Sequence, residues 1–393
     1  MRRVRGIIPK EKQLTKDMLR VIARVSHIKR DRPAPKQVPR HYEFMNTAKI
    51  ISGYRAMDNI PKELQARNLS KPLIITQHDN LEKGILKSLI KTLANFGINA
   101  RNILLCSKNG MQDTEEKAIS EFRTFSCDSV IAVGGAVAFK LARAVCASYT
   151  NDQTGFCSIP FIAVPVANAG LEIAGDPDII VLDPRLAKDQ PPKITALCLI
   201  DAICHAVETY ISPLRNPLSD AYAFSSIGLI RDNIHKALKS GKNKKVSLSI
   251  LNALLLSSLA YRNSRQSLSH ILSCVLEDCY KISHQEVIAI IFPHLLNQSL
   301  FRFEEYYGEL LLPLAGHEIY AETYPYERGR KFVQIIRNMV SDYQQIYGIP
   351  SCLSEIGVKR QDFGTIVEKT LNLAENQSEE MEEEIRNILN FAF

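Results

Sequence analysis

The sequence predicts an α/β N-terminal domain built on a parallel sheet, followed by an all-α C-terminal domain. Three observations carry this. Five short apolar runs follow one another between residues 71 and 184. Amphipathic stretches near 81–96 and 113–125 separate the first three of them. After Pro184 the alternation stops, and helical periodicity dominates from 190 to 393. Runs apolar on both faces and alternating with helices belong to parallel sheets, whose strands are covered on both sides. A chain of 393 residues also exceeds what one core usually holds, so two domains are expected.

In chain order, residues 1–43 read as a basic arm and linker. Residues 1–40 carry 13 Lys and Arg against Glu11, Asp17 and Asp31, a charge of +10 within a total of +7. The rest of the chain is therefore mildly acidic, at −3, which argues against a nucleic-acid partner. Within the arm, Leu14, Met18, Val21, Ile22 and Val25 fall at helical spacing, and the Pro-rich stretch 32–39 is an extended linker. Glu11, Asp17 and the lack of a small-residue cleavage pattern count against organelle targeting and favour a cytoplasmic protein.

Residues 44–188 should hold the sheet. Its strands are expected at Leu73-Ile74-Ile75, Ile103-Leu104-Leu105, 130–133, 161–164 and 179–182. Residues 189–393 should be helical and end in an acidic surface helix, Glu379 to Leu389. No apolar run approaches the ~18 residues of a membrane span, the richest stretch being Ile250 to Ala260, so no membrane partner is expected. The nine cysteines form no Cys-x-x-Cys pair and lie on apolar patterns, so most should be reduced core residues.

Two features can carry chemistry. Asp201 and His205 are four residues apart in a helical stretch, on one face, where an oxygen and a nitrogen ligand can share a metal. His270 and His284 follow, fourteen residues apart, with Ser283 placed to cap the helix that His284 begins. The second feature is Val133-Gly134-Gly135-Ala136, a glycine turn from a strand into a helix, which suits a phosphate and makes the sheet a candidate nucleotide-binding one.

These segments carry a family resemblance. Ile200-Asp201-Ala202-Ile203-Cys204-His205-Ala206-Val207-Glu208 follows an Asp-Ala-x-x-His-Ala-x-Glu signature, and His270, His284 and Phe292-Pro293-His294 match a later histidine segment. From about Phe44 to Phe393 the chain resembles the iron-containing (group III) alcohol dehydrogenases. The resemblance implies four metal ligands, Asp201, His205, His270 and His284, for Fe²⁺ or Zn²⁺. It implies NAD or NADP bound through Gln77, Gly134, Gly135, Ala136 and Lys140, and a small alcohol or carbonyl substrate. A homo-oligomer stays open.

Departures from the family pattern lie in the cofactor half. Where the family has Gly-Gly-Gly-Ser-x-x-Asp, this chain has Gly134, Gly135, Ala136, Val137, then Lys140 in place of the acid, read as lying in the first turn of the helix. The second loop, Pro165 to Glu172, has no Thr or Ser. A neutral Gln77 replaces the Asp that disfavours NADP. Cys274 stands where the family often has a further histidine and reads as packing rather than as a soft neighbour of the metal, while Arg262 and Arg265 either enter the cavity or point outward. The resemblance implies an oxidoreductase moving a hydride between NAD(P) and an alcohol, aldehyde or ketone. The alternative is a metal-binding relative that has lost this activity and serves as a binding or regulatory protein.

Overall fold

The computed structural model describes residues 39, 41–77, 84–105, 111–149, 159–166, 177–187, 190–239, 243–264, 267–374 and 378–393. The basic arm before residue 39 and the second loop from 167 to 172 lie outside the described residues. The strands are β1 (Lys49–Ser52), β2 (Pro72–Gln77), β3 (Arg101–Leu105), β4 (Ser129–Gly134), β5 (Phe161–Pro165) and β6 (Ile179–Leu182). They form one parallel sheet in the order β1-β6-β5-β4-β2-β3. All five expected strands are present. The sixth, β1, offers only Ile50-Ile51 between Lys49 and Ser52 and lies at an edge with Ile50 exposed, so it leaves no apolar run to read.

Helices cover both faces. On one, α1 (Ile60–Ala66) and α2 (Ile85–Ala94) set Ile60, Leu64, Leu86, Leu89 and Leu93 against Ile74, Ile131, Val133 and Ile162. On the other, α3 (Met111–Thr124) and α4 (Ala136–Ala147) set Phe122, Phe139 and Leu141 against Leu73, Ile75, Val130 and Phe161. Each such Leu or Phe stabilises the fold by about 1.5–3 kcal/mol through burial.

The helical part comprises α5 (Pro192–Ile211), α6 (Pro217–Lys239), α7 (Lys244–Arg262), α8 (Leu268–Tyr280), α9 (His284–Glu322), α10 (Arg328–Tyr347), α11 (Phe363–Leu373) and α12 (Glu379–Ala392). It docks on the sheet through β6, whose Ile180 and Leu182 join its core while Ile179 and Val181 face the α1 and α2 side. The most apolar helix is α5, not the 250–260 stretch. It is long and apolar enough to cross a membrane, yet 83% of that window is buried within the fold. It packs against α6, α7 and α9 as a core helix. The acidic α12 also buries one side, Ile385, Ile388, Leu389 and Ala392.

The cysteine expectation holds only in part. Cys146, Cys198 and Cys204 are buried, Cys127 and Cys352 half-buried, and Cys274 and Cys279 exposed. Packing is therefore not the role of Cys274. It lies one turn beyond His270 on the same face of α8, where it is exposed.

The end of β6 is held by a buried carboxylate. Asp183 accepts hydrogen bonds from the Met57 N–H (3.2 Å) and from the backbone and guanidinium of Arg185, which also reaches Asp58 at 2.9 Å. Asp183→Ala should destabilise the protein by about 2–3 kcal/mol, because it strands a backbone donor and a half-buried cation. Urea unfolding checks this, with Asp278→Ala, in the exposed Lys281 pair, expected within about 0.5 kcal/mol of the parent.

Candidate metal centre

Helix α5 begins with Pro at its first position and stops before Ser212-Pro213. Between those ends Asp201, His205 and Glu208 recur at one-turn intervals, so one face of an apolar helix carries two carboxylates and an imidazole. That face meets the start of α8, where Ser267 is the N-cap residue and His270 sits in the first turn. His284 is the first residue of α9, as expected from Ser283, whose hydroxyl bonds the Gln285 side chain instead of a backbone N–H. Two helix N-termini thus converge on the carboxylates, the ends that favour negative charge.

The structure brings Asp201, His270 and His284 together, with candidate ligand atoms all within 4.8 Å of one another. His205 stacks on His270 with ring centroids 4.3 Å apart, and Tyr261 lies against both rings at 4.4 and 4.6 Å. His284 meets the Ser273 hydroxyl through Nδ1 at 2.9 Å. All four predicted ligands are buried.

Sequence reading gave no role to Glu208, although its place in the signature one turn after His205 was the available signal. Its Oε2 lies 3.0 Å from His270 Nδ1, and its Oε1 accepts from the Ser269 hydroxyl. Beside it opens a cavity of about 180 Å³, lined by Val207, Leu296, Phe303 and Tyr307 among others. A larger surface groove of about 960 Å³, with His294, Arg330 and Arg337 in its walls, lies elsewhere and includes none of the four predicted ligands.

Burial disfavours every charge here, yet the groups compensate one another. The three histidines hold Asp201 well below the usual carboxylate range despite its burial. Burial would lower the His270 pKa, but Glu208 and Asp201 outweigh it and push it up to about 10. Asp201 Oδ1 and His270 Nε2 are buried, 3.6 Å apart, and neither has a hydrogen-bond partner among the described residues. A carboxylate oxygen and an imidazole nitrogen so placed, with two further histidines at hand, fit a divalent cation such as Fe²⁺ or Zn²⁺.

The predicted cofactor residues gather at strand ends. The β3 strand lies on one side of β2 and β4 on the other, so the chain reverses direction of travel across the sheet between β2 and β4. Such a switch point is where open α/β sheets bind ligands, at the carboxyl ends of the strands. Gln77 ends β2, Gly134 ends β4, Gly135 is the N-cap residue of α4, and Ala136 begins it. Thr76 ties the two strands by donating to the Val133 carbonyl at 2.9 Å. Lys140 is exposed and fifth in α4, hence in the second turn and not the first, because the helix starts at Ala136. Arg262, at the end of α7, is exposed, and Arg265 lies outside the described residues.

Comparison with known proteins accounts for both halves. The family model described as Fe-containing alcohol dehydrogenase family, C-terminal, matches residues 195–393, and the one described as Iron-containing alcohol dehydrogenase matches 47–173. Long-chain-alcohol dehydrogenase 1 of Geobacillus thermodenitrificans is 25% identical over 391 residues, covering 89% of this chain and 98% of that protein. NAD-dependent methanol dehydrogenase of Bacillus methanolicus is 23% identical, with 81% of this chain and 90% of that one covered. A crystal structure of 1,3-propanediol oxidoreductase superposes with a TM-score of 0.81 at 22% identity, over 90% of this chain and all of the other, which establishes the shared fold.

The His270 charge makes a pH prediction for the metal-stripped protein. A histidine raised from 6.5 to about 10 contributes stability that is complete below about pH 6.5 and is lost as pH rises through 10. Denaturant midpoints of the stripped protein should therefore fall across that interval, and His270→Gln should flatten the decline. A parent profile already flat from 6.5 to 10 would contradict the buried ion pair.

Proposed function

The chain belongs to the iron-containing alcohol dehydrogenase family, and from that premise we propose an oxidoreductase that moves a hydride between a nicotinamide dinucleotide and a small alcohol, aldehyde or ketone. The observation that carries this reading is the buried meeting of Asp201 Oδ1 and His270 Nε2 beside His284 and His205. In our reading Asp201, His205, His270 and His284 hold the divalent metal, Fe²⁺ or Zn²⁺. When bound, that metal supplies Lewis acidity at the substrate oxygen, and the dinucleotide supplies the site that gives or takes the hydride.

The protein's own residues do the rest. Asp201 and the histidines sit in a dry environment, which strengthens their electrostatic effect on whatever they hold. Gly134, Gly135 and Ala136 bring backbone N–H groups at the start of α4 to the switch point, where they would receive a phosphate. Lys140 adds a positive charge one turn on, in place of the hydroxyls this turn lacks. Gln77, without charge at the end of β2, leaves both NAD and NADP admissible. We assign residues 44–188 to the dinucleotide and 189–393 to the metal, and place the protein in the cytoplasm acting on a small molecule, with neither nucleic acid nor membrane as partner. The dehydrogenases it matches support this reading over the alternative of a relative that has lost hydride transfer, which rests only on the altered cofactor loops.

Metal analysis and nicotinamide fluorescence on one purified sample test the reading. The parent should carry about one equivalent of Fe²⁺ or Zn²⁺ and His284→Ala almost none, with aldehyde-dependent oxidation of NADH or NADPH lost in parallel. Full metal occupancy in His284→Ala would overturn the ligand assignment. For the cofactor half, Lys140→Ala should weaken NADH or NADPH binding roughly threefold to tenfold and leave metal content unchanged. Undiminished binding would make Lys140 a mere surface residue.

A further inference from the structure

Resting on the ligand assignment above, we propose that Glu208 is a positioning residue that fixes which nitrogen of His270 faces the metal. The argument begins with the two edges of one ring. His270 presents Nδ1 to Glu208 Oε2 at 3.0 Å and Nε2 to Asp201 Oδ1 at 3.6 Å. A carboxylate only accepts, so the Nδ1 edge must carry a hydrogen, and the lone pair of a neutral His270 is then confined to Nε2. Nε2 is the nitrogen turned toward Asp201 and, among the described residues, left without a hydrogen-bond partner.

Glu208 is itself held for this task. Its side chain is only 11% exposed, its Oε1 accepts from Ser269, and the hydroxyls of Ser267 and Ser269 each lie 3.2 Å from the same Nδ1. Carboxylate and serines together enclose one edge of the ring. The hydroxyl of Ser273 lies 2.9 Å from Nδ1 of His284 and 3.4 Å from its Nε2, and a hydroxyl can donate or accept, so it does not dictate a tautomer. His205 is flanked by the rings of Tyr261 and His270.

A rival assignment makes Glu208 a ligand, since Cys204, Glu208 and His270 also offer atoms within 4.8 Å of one another. Geometry opposes it. Glu208 occupies the Nδ1 edge of His270 while Asp201 occupies the Nε2 edge, so one ion cannot use both. Cys204 is fully buried with its sulfur beside the Ser269 hydroxyl at 3.6 Å, where a thiolate would be costly.

Titration of the full-length, metal-stripped protein with Co²⁺ against a competing chelator tests the proposal. Partners of metal-bound histidines typically contribute 10–100-fold to metal affinity. Glu208→Ala should therefore weaken Co²⁺ binding by about that factor and shift the visible Co²⁺ absorption, as His270 turns or changes tautomer. Glu208→Gln, whose carbonyl still accepts from Nδ1, should recover most of the affinity. Ser269→Ala, which only loosens Glu208, should show a smaller loss and serves if Glu208→Ala does not fold. Parent-like Co²⁺ affinity and absorption in Glu208→Ala, or in Ser269→Ala where Glu208→Ala fails to fold, would overturn the positioning role. Loss of binding in His284→Ala under the same conditions shows that the ligand assignment still stands. Retention of Co²⁺ by His284→Ala would instead fault that assignment.

Discussion

Asp201 and Glu208 stand on the most apolar helix of the protein, and a carboxylate buried there must be matched by positive charge and hydrogen bonds. The helical half is arranged around that requirement. His270 lies between the two carboxylates, and α8 and α9 begin where their positive ends face them. A proton on His270 Nε2 and a divalent cation at the same nitrogen exclude one another, so the two are alternative ways of balancing one cluster. With His270 as a ligand, as proposed above, metal affinity would be coupled to pH and to the stability of the helical core.

The sheet meets this core through β6, which serves two layers at once. Ile180 and Leu182 pack into the helical core, while Ile179 and Val181 pack under α1 and α2. The chain leaves β6 at Asp183, whose carboxylate anchors Met57 and Arg185, and enters α5 within nine residues. A shift of β6 would thus be felt along the helix that carries Asp201, His205 and Glu208. In this way the strand links the sheet to the charged face of α5.

Sequence pattern reveals what repeats or what buries two faces, and the five apolar strands and the helix faces were legible for that reason. Spacing alone placed Asp201 with His205, because helical geometry is local. The joining of His270 and His284 to them is tertiary and came from the family signature. What escaped has a physical cause in each case. Strand β1 sits at an edge and needs only one buried side. Cys274 has apolar neighbours in sequence, yet one turn beyond His270 the fold leaves it exposed. Helix α5 has its apolar run interrupted in sequence by Lys193, Asp201, His205 and Glu208, while the fold buries most of it. Glu208 was visible in the signature, but its role depends on which edge of a ring from another helix it meets.

The altered phosphate turn is reconciled with family membership by asking what that turn supplies. Phe139 N–H is the first to bond within α4, to the Gly135 carbonyl at 3.2 Å, so the N–H groups of Ala136, Val137 and Ala138 belong to the unsatisfied helix start. Gly135 has no side chain with which to cap them. These donors and the helix dipole come from the backbone and survive any change of side chain. Replacing a serine by Val137 removes one hydroxyl and leaves an apolar side chain 40% exposed at the start of the helix. Replacing an acid by Lys140 reverses a charge one turn away, toward the sign that an anion prefers. In the reading proposed above, the turn exchanges a short-range directional donor for a longer-range charge, which would keep its attraction for phosphate while relaxing how closely the position is specified.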